Sequence, residues 1–264
     1  MPLPAVIFED ESMLAFDKPA GLPVVPDRTA PRRETLMEQV QARFGPDAAN
    51  VHRLDWAASG VLLCAKTRVA RDILSGQFQA KTADKRYLAL VVVLPREQAL
   101  SGLAGLRAPD GGLADVFTVD QALVEDVRHP GQLRPSRGRD ARDCTTVFKV
   151  RERFGRFVWL ECQPLTGRPH QVRVHLAAIG APVLNDHLYG DRRIHLLLSD
   201  LKRGYKGRDA EKPLLNRLAL HAHELTVRHP VTREPVTLQA PLPEEFEIAL
   251  RYLRKFSPRS GARS

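Results

Sequence analysis

Paired strand-like runs joined by brief polar turns set the main limit on what this chain can fold into. Val6-Ile7-Phe8 is followed, across Glu9-Asp10-Glu11, by a second run at 13–17. Runs at 145–150 and 157–162 flank a polar, glycine-containing turn at 151–156, and a run at 221–228 is followed by Val236-Thr237-Leu238. Apolar runs of this length separated by a few turn residues form hairpins, whose strands pair antiparallel. Further strands are expected at 61–65, 88–94 (opened by Lys85-Arg86-Tyr87) and 116–119. Helical spacing falls elsewhere. It covers 34–44, ended by Gly45-Pro46, and a segment capped by Thr67 that runs to Phe78 with Val69, Ala70, Ile73, Leu74 and Phe78 on one side. It returns at 171–179, stopped by Gly180 and Pro182, and at 244–256 after Pro243. Hairpins outweigh strand–helix alternation, so the fold class expected is α+β, a mixed, mainly antiparallel central sheet with flanking helices and loops. Residues 95–145 are weakly patterned and read either as a domain boundary or as an insertion. Residues 191–216 read as a polar surface excursion. One domain over 1–256 is expected, followed by a basic, disordered tail at 257–264.

Three cysteines, Cys64, Cys144 and Cys162, show no short repeated spacing. That argues against a disulfide scaffold and against a four-cysteine metal site, and fits a reducing compartment. Acidic residues stand where a signal peptide carries lysine and then an apolar run, and no apolar stretch approaches the roughly 20 residues of a membrane span. A cytoplasmic protein without a membrane partner is expected. The net charge of +9 is uneven: residues 128–173 hold eleven basic residues against four acids, and 251–264 hold five and none. Such segments suit a polyanion, most often nucleic acid, or form a solvated basic surface. With 6% aromatic residues, broad stacking platforms for single strands are not expected.

The stretch His52-Arg53-Leu54-Asp55-Trp56-Ala57-Ala58-Ser59-Gly60 places a carboxylate beside an arginine and a histidine, just before an apolar strand. Asp55 can pair with Arg53, accept backbone N–H bonds, or do chemistry. A second polar cluster holds Arg168, His170, Arg173 and His175 at a helix start. Arg173 is placed to pair with Asp55 and keep it a carboxylate nucleophile, or to contact phosphate. Arg168, in a turn, suits phosphate, while His170 and His175 suit buried hydrogen bonding. Tyr87 either stacks on a base or closes the core edge. Among histidines, His221 and His223 share one side of a strand and are conceivable metal ligands, though no His-Glu-x-x-His spacing occurs.

Five blocks in order carry a resemblance: 11–23 (ESMLAFDKPAGLP), 52–60 (HRLDWAASG), 85–91 (KRYLALV), 165–175 (LTGRPHQVRVH) and 182–190 (PVLNDHLYG). The chain resembles the RluA-like family of RNA pseudouridine synthases. The resemblance implies the pseudouridine synthase fold and an RNA uridine isomerase that flips a uridine out, breaks its bond to N1, turns the uracil and joins C5 to the ribose. It implies Asp55 as nucleophile, Tyr87 as the tyrosine that packs on the flipped base, and Arg173 as the basic partner of the nucleophile. Arg53 matches an arginine linked to base flipping, with His52, Arg168 and His170 on the RNA-binding side. It implies no metal and no organic cofactor, ribosomal or transfer RNA as partner, and a monomer without an obligate protein partner. The S4-type RNA-binding domain that precedes some members is not expected, since the blocks begin at once.

The blocks depart from the family pattern at Ala58, where threonine is usual, at Pro169, where a hydroxyl residue is usual, and at Asn185, where glycine is frequent. Asp186 reads as structural, through a turn at Asn185-Asp186. Two other readings stay open on the sequence: a non-catalytic RNA-binding or RNA-folding factor that keeps the fold, and an N-glycosidase, which would ordinarily want a second carboxylate.

Overall fold

The computed structural model describes residues 2–26, 34–98, 107–108, 111–202, 204–205 and 211–257. The chain divides into two compact units, one of residues 1–87 and 221–241, the other of 88–220 and 242–264.

In the first unit, β1 (Ala5–Glu9) and β2 (Met13–Lys18) form the first hairpin. β2 pairs antiparallel with β4 (Ser59–Ala65), which also takes the two-residue β3 (Ala49–Asn50). β4 runs parallel to β11 (Leu220–Arg228), through His221 opposite Ser59 and Ala222 opposite Gly60, and β11 pairs antiparallel with β12 (Pro235–Gln239). Every residue of β4 is buried, as expected of a strand covered on both faces. One face carries α1 (Leu36–Phe44), begun by a full capping box between Thr35 and Glu38 and stopped at Gly45. Leu36, Met37 and Val40 pack there with Leu14, Phe16, Leu62 and Cys64. The other face carries α2 (Arg68–Gln79), capped by Thr67 as expected, with Ala70 and Leu74 among Met13, Ala15, Leu63 and Val227. Val69 departs from its expected place. It lies in the first turn and is exposed, so the apolar stripe begins one residue later.

In the second unit, β5 (Asp84–Val92, of which 88–92 belong here) is followed in the sheet by β10 (Phe157–Pro164), β9 (Thr145–Phe154) and β6 (Val116–Asp120), with β9 antiparallel to both of its neighbours. The turn expected at 151–156 is shorter than the composition suggests. β9 continues through Arg151-Glu152-Arg153 to Phe154, and only Gly155-Arg156 turn, with Gly155 at φ +61°. Three consecutive charged residues read as loop because they break the apolar alternation of a strand, although the backbone stays paired. The weakly patterned stretch holds a small separate hairpin, β7 (Leu123–Glu125) with β8 (Leu133–Pro135). α3 (Gln171–Ala178) is buried nearly all round. The excursion at 191–216 is not wholly surface, since Leu196 and Leu215 are buried and α4 (Leu198–Leu201) adds one turn. α5 (Glu244–Phe256) starts at Pro243 as expected and buries Phe246, Ala249, Leu250 and Leu253. Tail residues 258–264 lie outside the described residues. Helices among paired hairpin strands bear out the expected α+β, mainly antiparallel class.

Candidate active site

Asp55 lies half-buried in the loop between β3 and β4, and that loop is laced to the protein at nearly every residue. The Asn50 side-chain amide donates to His52 O at 2.8 Å, and Val51 N donates to Leu63 O at 3.2 Å. Leu54 is buried in the cluster around Phe16 and Leu62. Ala58 N donates to Asp55 O at 3.1 Å, closing a four-residue turn that starts at Asp55. Trp56 O accepts from Gly21 N at 2.7 Å and from Lys18 Nζ at 3.3 Å. Lys18 is fully buried, and its ammonium also donates to Pro19 O and Leu22 O. The Lys18-Pro19-Ala20-Gly21 segment, a plain loop on the sequence, is therefore the brace of the Asp55 turn. Gly21 supplies the positive φ (+83°) that brings its N–H to Trp56.

Downstream, Ser59 Oγ meets His221 Nδ1 at 2.8 Å, and His221 Nε2 meets Ala240 O at 3.4 Å. His223 Nδ1 meets the same carbonyl at 2.9 Å. These histidines fasten β11 to its neighbours, which accounts for their position without a metal role. Gly60 has φ +113°, and a Cβ there would collide with the backbone of Ala222, so the glycine ending the block is fixed by both conformation and space.

Tyr87, half-buried on β5, packs against the cluster that holds Leu54, Leu62 and Ala222. Asp55 and Tyr87 are thus each one short step from the same apolar anchor. Arg53 is exposed. The ring of His52, expected on the RNA side, is engaged within the protein. Its Nε2 accepts from Leu63 N at 3.0 Å, and the ring stacks on Phe78 at 4.8 Å. Burial first, and the nearby Lys85 ammonium second, push its pKa down from 6.5 to about 3. A histidine kept neutral in the fold stabilises fully above its unfolded pKa of about 6.5, and that stability is lost as pH falls toward 3. In urea unfolding over a pH series, the wild type should lose up to about 1.4 kcal/mol per pH unit through this group. His52→Gln should lack that part of the slope; equal slopes would show that His52 does not titrate between the two states.

In the second unit, Arg173 is held by Asp186. Nε reaches Oδ2 and Nη2 reaches Oδ1, both at 2.8 Å, with side chains 5% and 0% exposed. Asp186 also accepts from Leu188 N and Tyr189 N. Burial alone would raise its pKa, but Arg173's hydrogen bond and charge with these N–H groups hold it below the ordinary value. The sequence reading of Asp186 as a turn residue is incomplete: the same carboxylate caps the turn and fixes the arginine. Asn185 before it has φ +59°, a conformation open to glycine and asparagine, and its amide donates to Leu215 O and Arg217 O. That is the physical reason asparagine serves at this turn.

Tyr189 is a site neighbour that sequence reasoning missed. Arg173 lies over its ring at 5.2 Å, and its hydroxyl meets His170 Nδ1 at 2.8 Å and accepts from Leu133 N at 3.0 Å. The available signal was an aromatic beside the Asn-Asp turn. His170 itself has φ +53° and is half-buried, while Arg168 is half-buried with an Nε that makes no hydrogen bond. His175 is buried between Thr146 Oγ1 and Gln121 O, as a hydrogen-bonding histidine should be.

Comparison with known proteins is consistent throughout. The family described as RNA pseudouridylate synthase matches residues 12–178. A ribosomal large subunit pseudouridine synthase D from Xanthomonas campestris pv. campestris is 35% identical over 97% of this chain and 71% of that protein. A ribosomal large subunit pseudouridine synthase C from Escherichia coli K12 is 33% identical over 94% of this chain and 70% of its own length. Among solved structures, human RNA pseudouridylate synthase domain containing 4 has a TM-score of 0.66 at 23% identity, covering 94% of this chain and 92% of that one, a likeness of fold. Among the described residues no helix is long and apolar enough to cross a membrane. With the family matched over residues 12–178 and relatives of 33–35% identity covering 94–97% of this chain, this chain belongs to the RNA pseudouridylate synthase family and is an RNA uridine isomerase.

Proposed function

We propose that this chain converts uridine to pseudouridine in large-subunit ribosomal RNA, with Asp55 as nucleophile, Tyr87 against the flipped base and Arg173 as the basic partner of Asp55. Arg53 takes part in base flipping and Arg168 contacts phosphate. The reading rests above all on the bracing of Asp55: a half-buried carboxylate whose turn is fixed by a buried lysine, a positive-φ glycine and a cluster shared with Tyr87. A catalytic group must be held in place before substrate arrives, and this one is. Ribosomal RNA is favoured over transfer RNA because the relatives above carry ribosomal large subunit names.

The reaction breaks C1′–N1 and forms C1′–C5; the C5 proton leaves and N1 gains one, so the product is an isomer. A carboxylate beside the ribose stabilises or captures the sugar as the base departs, and a site closed to water favours re-addition over hydrolysis. Catalysis is assigned to residues 1–256, with the basic tail adding RNA affinity, in a cytoplasmic monomer. Arg128, Arg134, Arg137, Arg139 and Arg142 around the small hairpin are all exposed and offer the phosphate contacts that an RNA helix, read by shape, requires.

The test is a pseudouridine-specific chemical map of large-subunit ribosomal RNA from cells with and without the gene, followed by purified protein on the unmodified RNA. At least one uridine should stay unmodified in the deletion and be converted by the protein. Identical maps would overturn the assignment to this RNA. Release of free uracil would move the chemistry to an N-glycosidase.

A further inference from the structure

The nucleophile's neighbour is a tryptophan, and it faces outward. Trp56 is 54% exposed, and it is the one aromatic among the large apolar side chains left exposed in the described residues. Its backbone is not loose. It occupies the second position of the turn that begins at Asp55, and its carbonyl is fastened by Gly21 N and Lys18 Nζ. A large ring is therefore held out from a rigid backbone one residue from the reacting carboxylate. Burying such a ring ordinarily stabilises a fold by a large apolar area, and here 54% of the residue stays open to solvent. The loop alternates in a telling way: Arg53 exposed, Leu54 buried, Asp55 half-buried, Trp56 exposed. A cation and an aromatic face on the solvent side of one short loop match the two components of a nucleic acid strand, phosphate and base.

Flipping a uridine out of its stack uncovers the face of the base beside it. We infer that Trp56 is the stacking platform for a nucleobase adjoining the target uridine, and that it favours RNAs carrying a base with a large face, a purine, at that position. This rests on the RNA isomerase reading above. Stacking on an indole covers the exposed face while Arg53 meets the strand's phosphate. Every base has a π face, so the platform strengthens binding broadly and discriminates by stacking area rather than by hydrogen bonds.

The test uses the full chain and an RNA stem–loop copied from around a uridine that the wild-type protein converts; that conversion is the control for the isomerase reading itself, and its absence would sink that reading and not this one. Trp56→Ala should lower kcat/KM on this RNA by about 5- to 100-fold, chiefly through KM, the range expected for one base–aromatic stack. Trp56→Phe should recover most of the loss, which guards against a merely structural effect. Replacing the adjoining nucleotide by an abasic one should cost the wild type a similar factor and cost Trp56→Ala almost nothing. The chain's other tryptophan, Trp159, is 5% exposed and packs near Phe246 at 5.7 Å, so emission changes on RNA binding should come from Trp56 and vanish in Trp56→Phe. Wild-type kcat/KM in Trp56→Ala, or an equal abasic penalty in both proteins, would overturn the inference.

Discussion

Asp55→Asn should abolish pseudouridine formation, by at least about ten-thousand-fold in kcat, because removing the group proposed to form or stabilise the covalent centre leaves only binding and orientation behind. The amide is nearly the size of the carboxylate, and the turn depends on Asp55's backbone carbonyl rather than its side chain for the bond to Ala58 N. RNA affinity should therefore stay close to wild type. Single-turnover conversion of unmodified ribosomal RNA, read beside filter binding, separates the two quantities. A variant that binds and still isomerises would remove Asp55 from the mechanism. Intact cellular function in the variant, with conversion lost, would mean that the protein acts as an RNA-folding factor.

Asp186→Ala should destabilise the protein by about 3–5 kcal/mol, the usual result of removing one partner of a buried ion pair. Arg173 would keep a guanidinium 5% exposed with neither Oδ1 nor Oδ2 to receive it, and Leu188 N and Tyr189 N would lose their acceptor. Urea unfolding at neutral pH measures the loss. Asp186→Leu combined with Arg173→Met should recover much of the stability, because two apolar side chains replace two charges, yet remain inactive. If the double variant were as unstable as Asp186→Ala, the loss would lie in the turn hydrogen bonds rather than in the broken Arg173–Asp186 pair.

How much of this was legible in the sequence depended on whether the signal was local. The capped start of α2, the end of α1 at Gly45 and the entry of α5 after Pro243 are decided by neighbours a few residues away, and they stand where the pattern puts them. Three consecutive charged residues, Arg151-Glu152-Arg153, hid the end of β9, since they break the apolar alternation by which a strand is read, although Glu152 and Arg153 lie within a few residues of their β10 partners. Within the candidate site, the blocks single out Asp55 and Tyr87 as the residues to propose, but the buried ammonium of Lys18 that braces the Asp55 turn is not visible in them. Lysine is rarely buried, and only the carbonyls of Pro19, Leu22 and Trp56 converging on it make burial tolerable. Asp186 was visible as a turn and invisible as the anchor of Arg173, because thirteen residues of helix and loop bring the two together. His52 misled for the opposite reason: a polar residue beside an exposed arginine looks outward in a string of letters, while its ring nitrogen completes the hydrogen bonding of a strand.

The bond between Ser59 and His221 joins residues 162 apart, and the unit that holds Asp55 is completed only by 221–241. During synthesis β4, the strand that follows the Asp55 loop, emerges early and must wait for most of the chain before its parallel neighbour exists. A fully buried strand without its partner is an exposed apolar edge in the meantime, so this early segment is where a nascent chain would most need chaperone cover. The same wiring gives a useful safeguard. A truncated product, however long its basic surface and however well it bound RNA, would lack the strand that pairs with Ser59 and Gly60, and so would reach RNA with the downstream end of the Asp55 loop unpaired.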